Sequence, residues 1–170
     1  MTPVAATRAW VDNFVLHHGL CPFAARPFRA GLVGFVELAG EDPEAVFFGA
    51  WAQVQALVSV PAAERETTLL VIPAALPDFP LFLDFVAALE EGLAETGADQ
   101  LVQLAHFHPD YVFAGVAPDD PGNRTNRSPL PVVQLLRTDS VAAAVAAYGD
   151  DVHAIPERNV ALLRSLPTPE

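Results

Sequence analysis

Apolar positions along the chain follow two spacings, and each spacing predicts a different kind of element. Apolar residues three and four positions apart, the repeat of one helix face, predict helices over residues 3–18, 43–60, 79–96 and 141–148, and from residue 156 onward. Short and nearly continuous apolar runs predict strands over residues 29–38, 67–72, 101–108 and 132–137. Residues 24–28 are predicted to be a connector.

Local signals mark the ends of these helices. Asp42 and Asp78 stand where a side-chain oxygen can accept from the free N–H groups of a first helical turn. Gly19 suits the left-handed backbone that ends many helices. His17 and His18 fall in the last turn of the first helix, where the helix dipole favours a cation, and we interpret them as structural.

The order of elements predicts the fold class. Strand, helix, strand, helix and strand follow one another, and each crossover is long enough for a parallel connection. We therefore expect an α/β fold with a four-stranded mixed, largely parallel sheet flanked by helices; the alternative is a ferredoxin-like α+β sandwich. One domain is expected over residues 1–166, followed by a frayed tail over residues 167–170.

One connection is unusually long. Residues 107–131, between the third and fourth strands, form a segment of 25 residues. Loops longer than about 12–15 residues are usually either functional or disordered. Phe107, Tyr111 and Phe113 offer apolar anchors, and five prolines restrict the backbone, so we expect an ordered loop. It leaves the carboxyl end of a strand, where open α/β sheets bind their ligands.

Composition and charge narrow the classes of function. The chain has no apolar run of the roughly 18–20 residues that a membrane span needs, and no signal-like N-terminus, so we expect a cytoplasmic protein without a membrane partner. The formal net charge of −12 argues against nucleic acid, which requires a basic surface. All nine of its Lys and Arg residues are arginine.

The loop carries a polar run over residues 123–128 that suggests recognition of an anionic small molecule. Guanidinium groups bind carboxylates and phosphates through paired hydrogen bonds, and side-chain amides can donate to an oxyanion. The candidate substrate-binding residues are Arg127, Asn126, Arg124 and Asn123. Alternatively, the arginines pair with acidic residues of the loop, and the asparagines build its turns.

Three residues are candidates for catalysis. His108 would be the acid–base group, since histidine can exchange protons near neutral pH, and Asp120 would orient a histidine or an arginine. Cys21, the only cysteine, is an optional nucleophile paired with His106 or His108. That role predicts a thiol pKa well below about 8.5. The alternative for Cys21 is a small buried apolar side chain.

A metal site is the second interpretation of the histidines. His106 and His108 share one face of the third strand, because strand side chains alternate. Both could bind one metal ion, with Cys21 or a loop carboxylate as a third ligand. A lone His-x-His pattern often occurs by chance, so structural histidines remain an alternative.

Several blocks of sequence together resemble one bacterial family. The blocks are GLCPF, TTLLVIP, DFPLFLDF, QLAHFHPDYVFAG and NRTNRSPLP. In this order and spacing they resemble the DUF1415 family, whose function is unknown. The resemblance implies that Cys21, His108, Asn126 and Arg127 belong to one constellation. It implies no activity and no cofactor.

Three functions remain open on the sequence alone. The first is a small enzyme, or enzyme-like domain, that binds an anionic small molecule at residues 106–131. The second is a metal-binding protein that uses His106 and His108. The third is an interaction module in which the loop contacts a partner and the arginines anchor the interface. The cofactor and the oligomeric state are not identified by the sequence.

Overall fold

A computed structural model describes residues 1–167. Its strands are β1 (Val33–Glu37), β2 (Thr67–Val71), β3 (Val102–Phe107) and β4 (Val132–Arg137). Its α-helices are α1 (Pro3–Trp10), α2 (Ala25–Arg29), α3 (Pro43–Val58), α4 (Phe79–Thr96), α5 (Thr138–Tyr148) and α6 (Ile155–Ser165). Residues 168–170, most of the tail predicted to fray, lie outside the described residues.

The four strands form one mixed sheet in the order β1-β2-β4-β3. β1 and β2 are parallel, whereas β4 is antiparallel to both of its neighbours. Three strands therefore point the same way, and β4 returns between β2 and β3. The predicted α/β class with a four-stranded mixed sheet is confirmed. Only one of the three pairings is parallel, because the long loop brings β4 back beside β3 as an antiparallel partner.

Helices α3 and α4 cover one face of the sheet, and their predicted caps form. Asp42 Oδ1 accepts from the N–H of Glu44 at 3.3 Å, and Asp78 Oδ1 accepts from the N–H of Leu81 at 3.1 Å. The largest fully buried side chains of this layer include Leu57, Leu70, Phe82, Leu89 and Leu135. β2 is buried on both faces, as its uninterrupted apolar run predicts.

The N-terminal layer covers the opposite face and differs in part from the prediction. Instead of one helix over residues 3–18, α1 is followed by a π-helix, Val11–Leu16. The predicted connector at residues 24–28 is mostly helix α2, and β1 begins at Val33 rather than at residue 29. With only five residues, α2 is too short to repeat an apolar face. Phe28 instead packs against Phe35 with ring centres 6.5 Å apart.

The long loop lies at the end of the sheet where β1, β2 and β3 finish and β4 begins. It contains a 3-10 helix, Pro121–Asn126, which packs against α6. Within residues 1–167, no helix is both long and apolar enough to cross a membrane.

Candidate functional site

His108 is completely buried at the end of β3. The N–H of Asp110 donates to His108 Nδ1 at 3.1 Å, so the ring proton lies on Nε2, which faces the carbonyl oxygen of Leu76 at 3.2 Å. Leu76 has a left-handed backbone, with a φ of 58°. The two ring nitrogens thus join two backbone segments, one that follows β2 and one that follows β3. Acid–base chemistry at His108 would require breaking one of these bonds.

Asn126 covers the free edge of β3. The register with β4 turns the backbone groups of His106 away from the sheet, toward that edge. Asn126 Nδ2 donates to the carbonyl oxygen of His106 at 3.1 Å. The N–H of His108 donates to the carbonyl oxygen of Asn126 at 3.1 Å. One loop residue therefore pairs with β3 as a short further strand would.

Arg127 and Asn123 bind the loop's own backbone. Arg127 donates from Nε to the carbonyl oxygen of Tyr111 at 3.0 Å and from Nη2 to that of Pro118 at 2.7 Å. Asn123 is fully buried; its Oδ1 accepts from the N–H of Phe113 at 3.0 Å. Its Nδ2 donates to the carbonyl oxygen of Ala117 at 2.8 Å. These contacts fix the loop from residue 111 to residue 127.

Asp120 links the loop to α6. Its Oδ1 accepts from the N–H of Gly122 at 2.7 Å, at the start of the 3-10 helix. Arg164 donates to both carboxylate oxygens, at 3.1 and 2.6 Å. The hydrogen bond from Arg164 holds the pKa of Asp120 below its ordinary value. Asp120 therefore orients an arginine of α6, and no hydrogen bond in residues 1–167 joins it to a histidine.

His106 lies on the face of the sheet covered by α4. Its ring stacks on Tyr111 with centres 5.6 Å apart and meets the edge of Phe82 at 6.2 Å. Its Nδ1 is buried and has no hydrogen-bond partner among residues 1–167. Burial lowers the pKa of His106, while the Glu90 carboxylate acts in the opposite direction.

Within residues 1–167, His106 in β3 and His108 just after it are not grouped with a third potential metal ligand. Both nitrogens of His108 are engaged by backbone. In the part of the chain that the structure describes, no three side chains of His, Cys, Asp or Glu are grouped so that they could hold a metal ion.

Cys21 lies in the turn between the π-helix and α2. Its neighbour Leu20 is anchored to α6, because Asn159 Nδ2 donates to the carbonyl oxygen of Leu20 at 2.7 Å. Burial raises the pKa of the Cys21 thiol, against smaller lowering by the N–H groups of Phe23 and Ala24. The expectation of a lowered thiol pKa is corrected accordingly: partial burial outweighs the backbone donors.

The raised pKa of Cys21 predicts slow alkylation. At neutral pH, iodoacetamide should label the native protein several-fold more slowly than the urea-unfolded protein, because less thiolate is present and access is reduced. Mass spectrometry of the labelled peptide at successive times measures both rates. Native labelling as fast as unfolded labelling would contradict this interpretation.

Arg124 differs from the other polar residues of the loop, because its guanidinium group contacts the N-terminal layer. Its guanidinium carbon lies 5.4 Å from the ring centre of Phe14. The ring of His18 lies 5.2 Å from Phe14 and 4.9 Å from His17. Within residues 1–167, no acceptor is hydrogen-bonded to the Arg124 guanidinium group, and the one salt bridge there joins Arg164 to Asp120.

We call Phe14, His17, His18 and Arg124 the basic cluster. Burial, then His17 and then Arg124 lower the pKa of His18, and no carboxylate is among these causes. Both histidines are expected from the sequence to be structural. The signals in the sequence were two adjacent histidines before Gly19 and the two arginines of the loop, but nothing in the sequence relates the histidines to the arginines.

A surface cleft of about 410 Å³ lies on the other side of the 3-10 helix, between the loop and α6. It is lined mainly by apolar side chains, among them Phe113, Val116 and Val160. Arg164, at its rim, is already paired with Asp120. The cleft therefore offers no free charged group from the loop.

The fold and the loop define a class of α/β protein. A four-stranded mixed sheet carries, at one edge, an ordered polar loop held by its own asparagine and arginine side chains. The family described as "Protein of unknown function (DUF1415)" matches residues 2–170, so the chain belongs to the DUF1415 family. A search of curated proteins and a search of solved structures each found no match.

Proposed function

We propose that this protein binds a small anionic molecule at the basic cluster, with Arg124 as the principal charged ligand. The observation that carries the proposal is that Arg124, His17 and His18 lie together without a carboxylate partner in the described chain. The proposal keeps the anionic ligand and the loop arginine expected from the sequence. It does not retain His108 as an acid–base group, and His18 instead takes up a proton when the anion binds.

The distribution of charge supports this location. Residues 30–105, which include β1, α3, β2 and α4, contain twelve acidic residues and one arginine. Residues 1–29 contain three arginines, two histidines and one aspartate. The sheet separates α3 and α4, which contain five acidic residues, from the N-terminal layer, so an anion approaching that layer is shielded from this part of the protein's negative charge.

The side chains of the cluster suit an oxyanion. An unpaired guanidinium group presents several N–H donors in one plane and binds phosphate or carboxylate oxygens in pairs. Imidazole adds a donor when protonated, and the ring of Phe14 limits the conformations of Arg124. A π-helical turn precedes His17, and such turns are frequent at functional sites.

The proposal has a defined pH dependence. In the free protein, burial, His17 and Arg124 hold the pKa of His18 below its ordinary value. A bound anion would favour the charged ring and raise this pKa, and binding would therefore take up a proton. Affinity should rise as the pH falls through the pKa of the bound state and level off below the pKa of the free state.

Inorganic phosphate is the probe that tests the site. Titrating phosphate while following the imidazole C–H signals by NMR should shift the His18 resonances and raise the pKa of His18. Arg124→Gln should weaken phosphate binding about ten- to a hundredfold, as expected for loss of a charge-assisted bond.

Arg26→Gln is the matched control, since it removes the same charge from an exposed position of α2. Phosphate binding by this variant should stay close to that of the unmodified protein. Equal weakening by both substitutions would reduce the effect to net charge and refute the site. Unchanged binding in Arg124→Gln would refute it as well.

A further inference from the structure

The outer surface of α3 and α4 exposes large apolar side chains. Phe48 on α3 is 63% exposed and Leu81 on α4 is 59% exposed. Both belong to the first two turns of their helices, and both helices start at the same end of the sheet, where β1 and β2 finish. Folding leaves these two side chains in water, although smaller or polar residues would serve equally well at an exposed helical position.

The two helices pack closely enough to make one surface. The rings of Phe47 and Phe85 lie with centres 6.3 Å apart across the helix pair. A Cβ atom at Gly92 would lie 3.4 Å from the Trp51 ring, an ordinary van der Waals contact, so the two helices also lie side by side at this point. Phe48 adjoins Phe47, with ring centres 6.0 Å apart, and Leu81 precedes Phe85 by one turn.

All the formal charge on this surface is negative. The sequences of α3 and α4 contain no lysine, arginine or histidine. Their exposed acidic residues include Glu44, Asp84, Glu91 and Glu95. A second copy docked through the same surface would bring acid against acid, which opposes symmetric self-association.

We propose that the α3–α4 surface docks a basic amphipathic helix from another protein, with Phe48 and Leu81 as apolar anchors. The partner's leucine-like side chains would cover the exposed rings and branched chains, and its lysines or arginines would meet the surrounding carboxylates. An amphipathic helix suits such a surface, because its apolar side chains repeat every three or four residues along one face. The surface lies on the opposite side of the sheet from the basic cluster, and the inference does not depend on anion binding there.

The test uses a synthetic amphipathic helical peptide with leucine along one face and lysine along the other, labelled for fluorescence anisotropy. We expect saturable binding that weakens as salt is added. Phe48→Ser combined with Leu81→Ser should weaken binding at least tenfold. Asp84→Asn combined with Glu91→Gln should weaken it several-fold and reduce the dependence on salt.

Two controls distinguish docking from general attraction to an acidic protein. Leu101→Ser removes another large apolar side chain, 56% exposed, from outside both helices, and should leave binding unchanged. A peptide with the same leucine face and glutamate in place of lysine should bind far more weakly. Equal affinity of the Leu101 variant and the Phe48/Leu81 variant would overturn the proposal.

Sedimentation velocity tests whether the α3–α4 surface instead binds a second copy of this chain. The unmodified protein should show no concentration-dependent association that the Phe48/Leu81 substitutions remove. If those substitutions dissolve an oligomer, the surface is an interface between copies of this chain and the assignment to a basic partner is overturned.

Discussion

Replacing His108 with alanine is expected to destabilise the folded protein by about 3 kcal/mol or more. The side chain is completely buried, and its removal leaves a cavity beside Phe82 and Phe79, whose ring centres lie 5.1 and 5.3 Å from the imidazole. It also leaves the carbonyl oxygen of the buried Leu76 without its donor, which is costly, and it removes the acceptor of the Asp110 N–H. Urea unfolding followed by circular dichroism measures the loss.

Two substitutions separate the contacts of His108. In His108→Asn the side-chain oxygen can replace Nδ1 as acceptor for Asp110, and in His108→Gln the side-chain amide can replace Nε2 as donor to Leu76. Each should recover part of the stability lost in the alanine variant. Full stability in His108→Ala would mean that the histidine is kept for chemistry rather than for holding the loop.

Replacing Asn123 with alanine is expected to cost about 2–3 kcal/mol and to loosen the loop. Asn123 is fully buried and joins the N–H of Phe113 to the carbonyl oxygen of Ala117. Alanine would leave the N–H of Phe113 without its acceptor, whereas the carbonyl oxygen of Ala117 would keep its bond from the N–H of Asp120 at 3.0 Å. Hydrogen exchange should report the change locally. The amide of Phe113 should exchange much faster, while amides of β2 should change only by the loss in global stability.

Thr125→Ala serves as the control for Asn123, because Thr125 belongs to the same 3-10 helix. Its hydroxyl donates only to the nearby carbonyl oxygen of Gly122, at 2.8 Å. This loss should cost about 1 kcal/mol or less. If the Phe113 amide exchanges at the same rate in both variants, the hydrogen bond from Phe113 to Asn123 does not hold the loop.

Local signals made most of the fold predictable. Asp42 and Asp78 cap their helices through bonds that span only a few residues, so the sequence contains the whole interaction. The apolar run of β2 also predicts its position, since a strand that is buried on both faces has apolar side chains at successive positions. The direction of β4 was harder to predict from the sequence, because it depends on the path of a long loop whose contacts are distant in sequence.

The candidate site was predictable in composition but not in geometry. Arg124 and Arg127 stand three positions apart and look alike in sequence. Arg127 donates to the backbone of the loop, whereas Arg124 lies against Phe14, more than a hundred residues earlier in the chain. Only tertiary packing distinguishes an arginine that binds the loop's backbone from one whose guanidinium group has no hydrogen-bonded acceptor within residues 1–167. The same holds for His108, whose burial depends on α4 and the turn after β2.

The pairing of Asn126 with β3 has a consequence for solubility. An uncovered strand edge is a template on which further chains can add strands, and this addition leads to aggregation. By occupying the carbonyl oxygen of His106 and the N–H of His108, Asn126 leaves only the first part of β3 open to a neighbouring molecule. At this edge of the sheet the long loop therefore limits the addition of strands from a neighbouring molecule. Any effort to shorten this loop must keep that cover in place.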